Sequence, residues 1–238
     1  MNTQDDNIFK EVVKILNDNK INYWICHGTL LGIVRENRLL PWDHDIDFAI
    51  WDDEYSKEDI LELFKDNSKF QQTIVPEEMS NLHFLAADKR VDMNFYSRDK
   101  EKAYIRWVAP EGVILRTYYF SVNFINSNFG IKCTTESSNK AARLVKILLA
   151  SILFFIRLIF PKSIKRALYD DLQNRLDYTG YSYLLDLMKF KKIFFLNVGI
   201  FIPVESEKML EVTYGEDWKT PKQDYIWHKE AKNLLSQP

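Results

Sequence analysis

Apolar residues punctuate this chain in two rhythms. Ile8, Val12, Val13, Ile15 and Leu16 recur near helical spacing, which predicts an opening amphipathic helix that ends around Asn17 to Lys20. INYWICHG then reads as a short strand, with Gly28 turning the backbone and Thr29 starting a second helix through LLGIVREN. On that helix Gly28, Gly32 and Arg35 share one face, and two glycines on a face permit close approach of a strand or a phosphate. Pro41 ends the helix, because the residue before a proline is pushed out of helical backbone. From Asp45 to Ile50 the rhythm becomes two: Asp45 and Asp47 share one face of a strand, while Ile46, Phe48 and Ile50 fill the other.

DDEYSKEDILELFKD follows as a surface helix. LHFLAADKRVDMNFYSRD reads as two strands joined near Asp88 and Lys89, with Val91, Met93 and Phe95 on one side and Asp92, Asn94 and Tyr96 on the other. GVILRTYYFSVNFINSNFGIKC is aromatic and β-branched and is expected to be strand-rich. The segment from Ala142 to Phe160 is the most apolar of the chain, yet its longest charge-free run, Ile147 to Ile156, is ten residues. That is well under the roughly 20 needed to span a bilayer. Near the C-terminus IFIPVESEKMLEVTYGEDWKTP predicts a short strand and a helix that closes at Tyr214 and Gly215.

Composition narrows the classes. With 238 residues, 46% apolar content and a mean hydropathy of -0.29, the chain has the makeup of one globular unit with a sizeable core. Repeats and long linkers are missing from the pattern, so a single domain is expected over 1–238, with a core to about residue 130 and an elaboration beyond it. A net charge of -2 gives no general affinity for nucleic acid. Cys26 and Cys133 are too few and too far apart for a disulfide framework or a zinc spacing, and they read as two thiols in a reducing cytoplasm. MNTQDDNIFK lacks the basic start and apolar run of a secretory signal.

The alternation at Asp45 and Asp47 sets a physical problem, since an uncompensated buried charge costs several kcal/mol. A cleft face of the sheet relieves it in part. A third carboxylate from a neighbouring strand, Asp92, would complete a hard oxygen site suited to Mg²⁺ or Mn²⁺, whose charge offsets the mutual repulsion. Phosphoryl or phosphodiester transfer is the chemistry such a site serves. The turn into the second helix adds backbone N–H groups and a positive dipole end for phosphates, with Arg35 as a candidate phosphate contact.

These residues carry a resemblance. HGTLLGIVRENRLLPWDHDIDFAI closely resembles the signature of the LicD/fukutin-related phosphotransferases, of the nucleotidyltransferase-fold superfamily. Gly28, Thr29, Asp45, Asp47 and Asp92 occupy the places of that superfamily's pattern, with His27 where an apolar residue is usual, and YGEDWKTP resembles the Tyr-Gly element that ends such domains. The resemblance implies an α+β fold: a nucleotidyltransferase-like mixed sheet flanked by helices, with a helical and strand-rich C-terminal elaboration. It implies a CDP-alcohol donor (phosphocholine, ribitol phosphate or glycerol phosphate), a glycan hydroxyl as acceptor, and release of CMP. Asp45 and Asp47 would hold metal and diphosphate, Asp92 would complete the metal site or take the acceptor's proton, and Gly28, Thr29 and Arg35 would steady the donor phosphates. Two rivals share the pattern: a nucleotidyltransferase that releases pyrophosphate, and a catalytically silent protein that docks on membranes.

Plainer readings stand beside these. Asp43 follows Pro-Trp and suits a turn, and His44 points away from Asp45 and Asp47. His83 and His228 have no partner at ligand spacing, and Trp24, Trp42, Trp107 and Trp218 are ordinary core aromatics as readily as stacking surfaces. Arg35 needs no cause beyond a helix surface. The helix over 142–160 is either buried all round or a peripheral membrane contact on the inner leaflet, since Lys140, Arg143 and Lys146 precede it and Lys162, Lys165 and Arg166 follow. Membrane contact would suit a lipid-linked acceptor.

Overall fold

The computed structural model describes residues 4–73, 80–108, 112–126, 140–176 and 178–235. The chain divides into two compact units, one from 1–71, 80–107 and 179–238, the other from 72–79 and 108–178.

The first unit is α+β, built on a mixed sheet. Helix α1 (Gln4–Asp18) buries Ile8, Val12, Val13 and Leu16 of the predicted stripe, adds Phe9 and leaves Ile15 half-buried. Phe9 stacks on Phe48 and meets Phe195 edge-on, at ring separations of 5.6 and 5.4 Å. Strand β1 (Trp24–Ile25) runs antiparallel to β2 (Asp45–Trp51), and α2 (His27–Glu36) lies between them in sequence. Helix α3 (Lys57–Phe64) opens with a reciprocal cap between Ser56 and Asp59. Sheet order is then β1, β2, β5 (Lys89–Arg98), β4 (Asn81–Ala86) and β3 (Gln71–Gln72).

The β2–β5 pair is parallel and the β4–β5 pair is a hairpin closed by Ala87 and Asp88. Ala87 takes a positive φ of 54° to make that tight turn. Strands β6 (Lys102–Val108) and β7 (Tyr178–Leu184) extend the sheet from the end of β5. At Gly180 an added Cβ would strike the Ile105 carbonyl, so glycine lets β7 lie against β6. A separate hairpin, β8 (Phe190–Phe195) with β9 (Val198–Pro203), precedes α7 (Ser206–Tyr214) and the one-turn α8 (Trp227–Glu230). As expected, α7 stops at Gly215, whose φ is 95°.

Two expectations are corrected. The second helix starts at His27, not Thr29, and the left-handed turn belongs to His27 (φ 49°) rather than Gly28. The glycines of α2 serve close approach: a Cβ at Gly28 would collide with the Asp43 carboxylate, and one at Gly32 would sit 2.6 Å from the Arg38 carbonyl. The loop that packs so closely is the one that delivers Asp43 and Asp45.

The second correction falls in the other unit. The stretch expected as strands is helix α4 (Gly112–Asn126), and residues 127–139, Cys133 included, lie outside the described residues. Leu115, Tyr118, Tyr119 and Val122 keep helical spacing and pack with Val108, Leu172 and Leu176. Packing on a helical face outweighs the strand preference of Val, Tyr and Phe. Helix α5 (Lys140–Ile159) sets Ala150 and Leu153 against Phe124 and Ile125 of α4, and α6 (Lys162–Gln173) brings Leu172 to α4. Among the described residues, no helix is long and apolar enough to cross a membrane.

Candidate active site

The parallel pairing of β2 and β5 assembles the site. Its register sets Asp45 opposite Arg90, Asp47 opposite Asp92 and Ala49 opposite Asn94. Side chains two apart along a strand share a face, and adjacent strands lie about 4.8 Å apart, so Asp45, Asp47 and Asp92 converge on one side of the sheet. Both faces of β2 are covered, and Asp47 and Asp92 are only 7% and 5% exposed; the cleft side is buried more deeply than the alternation alone implies.

Neighbours make that burial tolerable. Arg90 reaches Asp92 Oδ1 from Nε at 2.9 Å and also bonds Asp45 Oδ2 through Nη2, bridging two of the three acids. Asn94 Nδ2 donates to Asp47 Oδ1 and to the Phe48 carbonyl, each at 3.2 Å. Thr29 Oγ1 accepts the backbone N–H of Asp47 at 2.8 Å and thereby ties the first turn of α2 to β2. Lys89, paired with Asp5 at 2.8 Å, donates to the Asp43 carbonyl at 2.8 Å and anchors the loop that precedes β2.

The electrostatics separate the acids. Burial pushes Asp47 well above the usual carboxylate range, and Asp45 and Asp92 push it further. Burial acts most strongly to raise Asp45, but the charge and hydrogen bond of Arg90, the hydrogen bond from Asp43 and the nearby His27 together hold Asp45 below that range. Asp43, beside Gly28, is pushed up to about 7 by burial and then by Asp45, to which its protonated carboxyl donates a hydrogen bond. Burial works against the charge on Arg90, yet Asp92, Asp45 and Asp47 together hold its proton more firmly than usual. One guanidinium thus faces a cluster of four carboxyl groups.

Two histidines flank the acids. His83 lies opposite Asp92 in the hairpin, 3.6 Å from Asp92 Oδ2 and 2.8 Å from Asn81 Nδ2, and burial followed by the Arg90 charge drops it to about 3. His27 is lowered by burial to about 4; its Nε2 meets the Tyr96 hydroxyl at 3.3 Å, while Nδ1 finds no hydrogen-bond partner among the described residues. Donor atoms of Cys26, His27 and Asp47 lie within 4.8 Å of one another, a possible metal-binding triad. Burial, with Asp47 and Asp92, pushes the Cys26 thiol well up, so sulfur is present in its neutral form. The ring of His27 is enclosed by Trp107 and Tyr181, with Trp227 behind them at 5.1 Å from Trp107.

Of the residues singled out from sequence, Gly28, Thr29, Asp45, Asp47 and Asp92 come together. Arg35 stands elsewhere, about 10 Å along α2 from Gly28 by helix rise. Its guanidinium pairs with Glu36 and donates to the Trp218 carbonyl at 3.3 Å. His44 is exposed, and Trp24, Trp107 and Trp218 are buried. Sequence reasoning put Asn94 on the Asp92 face without giving it a role and passed over Arg90, though KRVDMN places Arg90 on that face by the same period of two.

The first unit is a mixed α+β sheet of nucleotidyltransferase-like arrangement, its paired strands presenting acids beside a helix N-terminus. Residues 20–124 match the family model described as LicD/FKTN/FKRP, nucleotidyltransferase domain, which bears out the resemblance read from the signature. A Rickettsia typhi protein described as uncharacterized is 30% identical over 96 residues, 40% of this chain and 29% of its own length. Human ribitol 5-phosphate transferase FKRP is 40% identical over 40 residues, 17% of this chain and 8% of that protein. The chain therefore spans under a third of each relative. The crystal structure of ANT(2")-Ia in complex with adenylyl-2"-tobramycin is similar at 12% identity and a TM-score of 0.35, over 73% of this chain and 99% of that one.

Proposed function

We propose that this protein transfers a phospho-alcohol, of the phosphocholine, ribitol phosphate or glycerol phosphate kind, from a CDP-activated donor to a glycan hydroxyl, releasing CMP. One arrangement supports this reading above all: Asp45, Asp47 and Asp92 face the same way from paired strands, next to the first turn of α2. The family match and the printed activity of FKRP, a ribitol 5-phosphate transferase, favour the phospho-alcohol class.

The donor set fits Mg²⁺ or Mn²⁺, since it is made of carboxylate oxygens that paired strands present on one face. Asp45, Asp47 and Asp92 would hold the ion, which when bound neutralises diphosphate oxygens and polarises phosphorus. Backbone N–H groups at Gly28 and Thr29, in the first turn of α2, receive the donor phosphates. The acceptor oxygen forms its bond to the phosphorus that carries the alcohol, the bond from that phosphorus to CMP breaks, and the hydroxyl proton passes to a carboxylate, with Asp92 in that role.

The test is a panel of CDP-alcohols with Mg²⁺ and glycan acceptors, read as CMP formation. CMP from one member, lost in Asp47→Asn, is the expected result. Pyrophosphate from a nucleoside triphosphate would move the protein to the nucleotidyltransferase reading, and no turnover with any donor would leave the silent binding protein.

A further inference from the structure

We propose that the outer face of α5 is a docking surface for bilayers that contain anionic lipid. This surface belongs to the helical unit alone and does not depend on the transfer chemistry.

Helix α5 has an inner face and an outer one. Ala150 and Leu153 are buried against Phe124 and Ile125, with Leu149, Phe154 and Ile156 packed beside them. The opposite side is apolar as well: Leu144, Leu148, Ile152, Phe155 and Ile159 are 58–78% exposed. Their spacing of four, four, three and four residues lines them up along one stripe, and Val145 and Leu158, 64% and 66% exposed, widen it. Five aligned large apolar side chains are not the scattered exposure of an ordinary surface.

Charge selects the occupant. Between Glu136 and Asp170 the chain carries seven Lys and Arg and not one Asp or Glu. The whole chain has 32 basic and 34 acidic residues, so outside this segment 25 face 34 and the remainder is net -9. Lys162, just beyond the exposed Leu158 and Ile159, is itself exposed. A second copy of the chain seated on this face would bring two such basic segments together, which repel. An anionic lipid surface accepts both the stripe and the cations. With no described helix able to cross a bilayer, the contact is one of lying on the surface, apolar side down.

The experiment uses the full chain and sedimentation with vesicles of phosphatidylcholine, with and without phosphatidylglycerol. Wild-type protein is expected to pellet with the phosphatidylglycerol vesicles, to stay in solution with phosphatidylcholine alone, and to release as salt rises. Ile152→Glu with Phe155→Glu, both at exposed positions, should lower binding about tenfold or more while circular dichroism and melting stay unchanged. Lys162→Gln with Lys165→Gln should weaken binding only to the anionic vesicles. Equal recovery in the supernatant under both compositions, equal binding to both, or undiminished binding of the Ile152/Phe155 variant would each overturn the proposal. So would a wild-type dimer that this variant converts to monomer, since a second copy would then cover the stripe.

Discussion

Arg90 on β5 stands opposite Asp45 on β2, and its guanidinium spans from Asp45 to Asp92. In that position a side chain supplies the positive charge that the acids demand, in the place where a divalent ion would serve the same end. A metal held by these acids would therefore compete with Arg90 for the same oxygens. Arg90→Met should destabilise metal-free protein by about 3 kcal/mol or less, because the guanidinium is partly exposed, and so lower its melting temperature. It should also raise Mn²⁺ affinity several-fold in a titration without nucleotide. Weaker Mn²⁺ binding in the variant would show that Arg90 assists the ion instead of displacing it.

Asp45 and Asp47 share a strand face but differ in environment, one held low by Arg90, the other pushed up by burial. Asp47→Asn removes a destabilising charge from the metal-free fold, so melting without metal should hold or rise. Mn²⁺ binding and transfer should fall by on the order of 100-fold, at the upper end of what lost partners around a metal cost. Asp45→Asn strips Arg90 of a partner and should lose both stability and activity. Matching melting curves for the two variants would contradict the asymmetry.

Gly28 is held to glycine by Asp43, not by its own backbone angles. Gly28→Ala should cost about 1–3 kcal/mol through overpacking, visible as a lower denaturant midpoint. Asp43→Ala in the same chain should restore most of that loss, because the added methyl then has space. If the double variant is as unstable as the sum of the singles, the contact is not what excludes a side chain at position 28.

In metal-free protein Asp43 should leave a signature between about pH 4 and 7. An acid whose folded pKa is about 7, above the unfolded 3.8, binds its proton more tightly when folded. Its contribution to stability is complete below the lower value and is lost as pH rises through the upper one. His27 and His83, lowered to about 4 and 3, act oppositely: unfolded chains take up protons first, so stability is lost as pH falls below about 6.5. Comparing wild type with Asp43→Asn cancels the histidines. Wild type should lose stability relative to the variant from pH 5 to pH 8, roughly, and saturating Mg²⁺ should flatten the difference. Parallel curves without metal would refute the assignment.

Much of this was legible in the residues, for identifiable reasons. The sheet strands β2, β4 and β5 declare themselves because the middle of one face of each is apolar, and alternation survives as period two. Helix α4 does not, since Val, Tyr and Phe favour strands locally and only their contacts with Leu172 and Leu176 reveal the helical face. Asp45 and Asp47 are visible as neighbours in sequence. Arg90 escapes notice because its partnership with Asp45 depends on a parallel register between residues 45 positions apart, which nothing local fixes. His83 was within reach: a two-residue turn at Ala87 and Asp88 dictates the hairpin register and puts His83 opposite Asp92.

The nonlocal pairing of β2 with β5 has a consequence for how the centre comes into being. A peptide holding the recognisable signature would carry two of the acids, yet neither the third nor the guanidinium that steadies them, so it would be inert toward metal. The centre is an emergent property of a nearly completed fold, switching on cooperatively with the long-range closure of the sheet and vanishing with it.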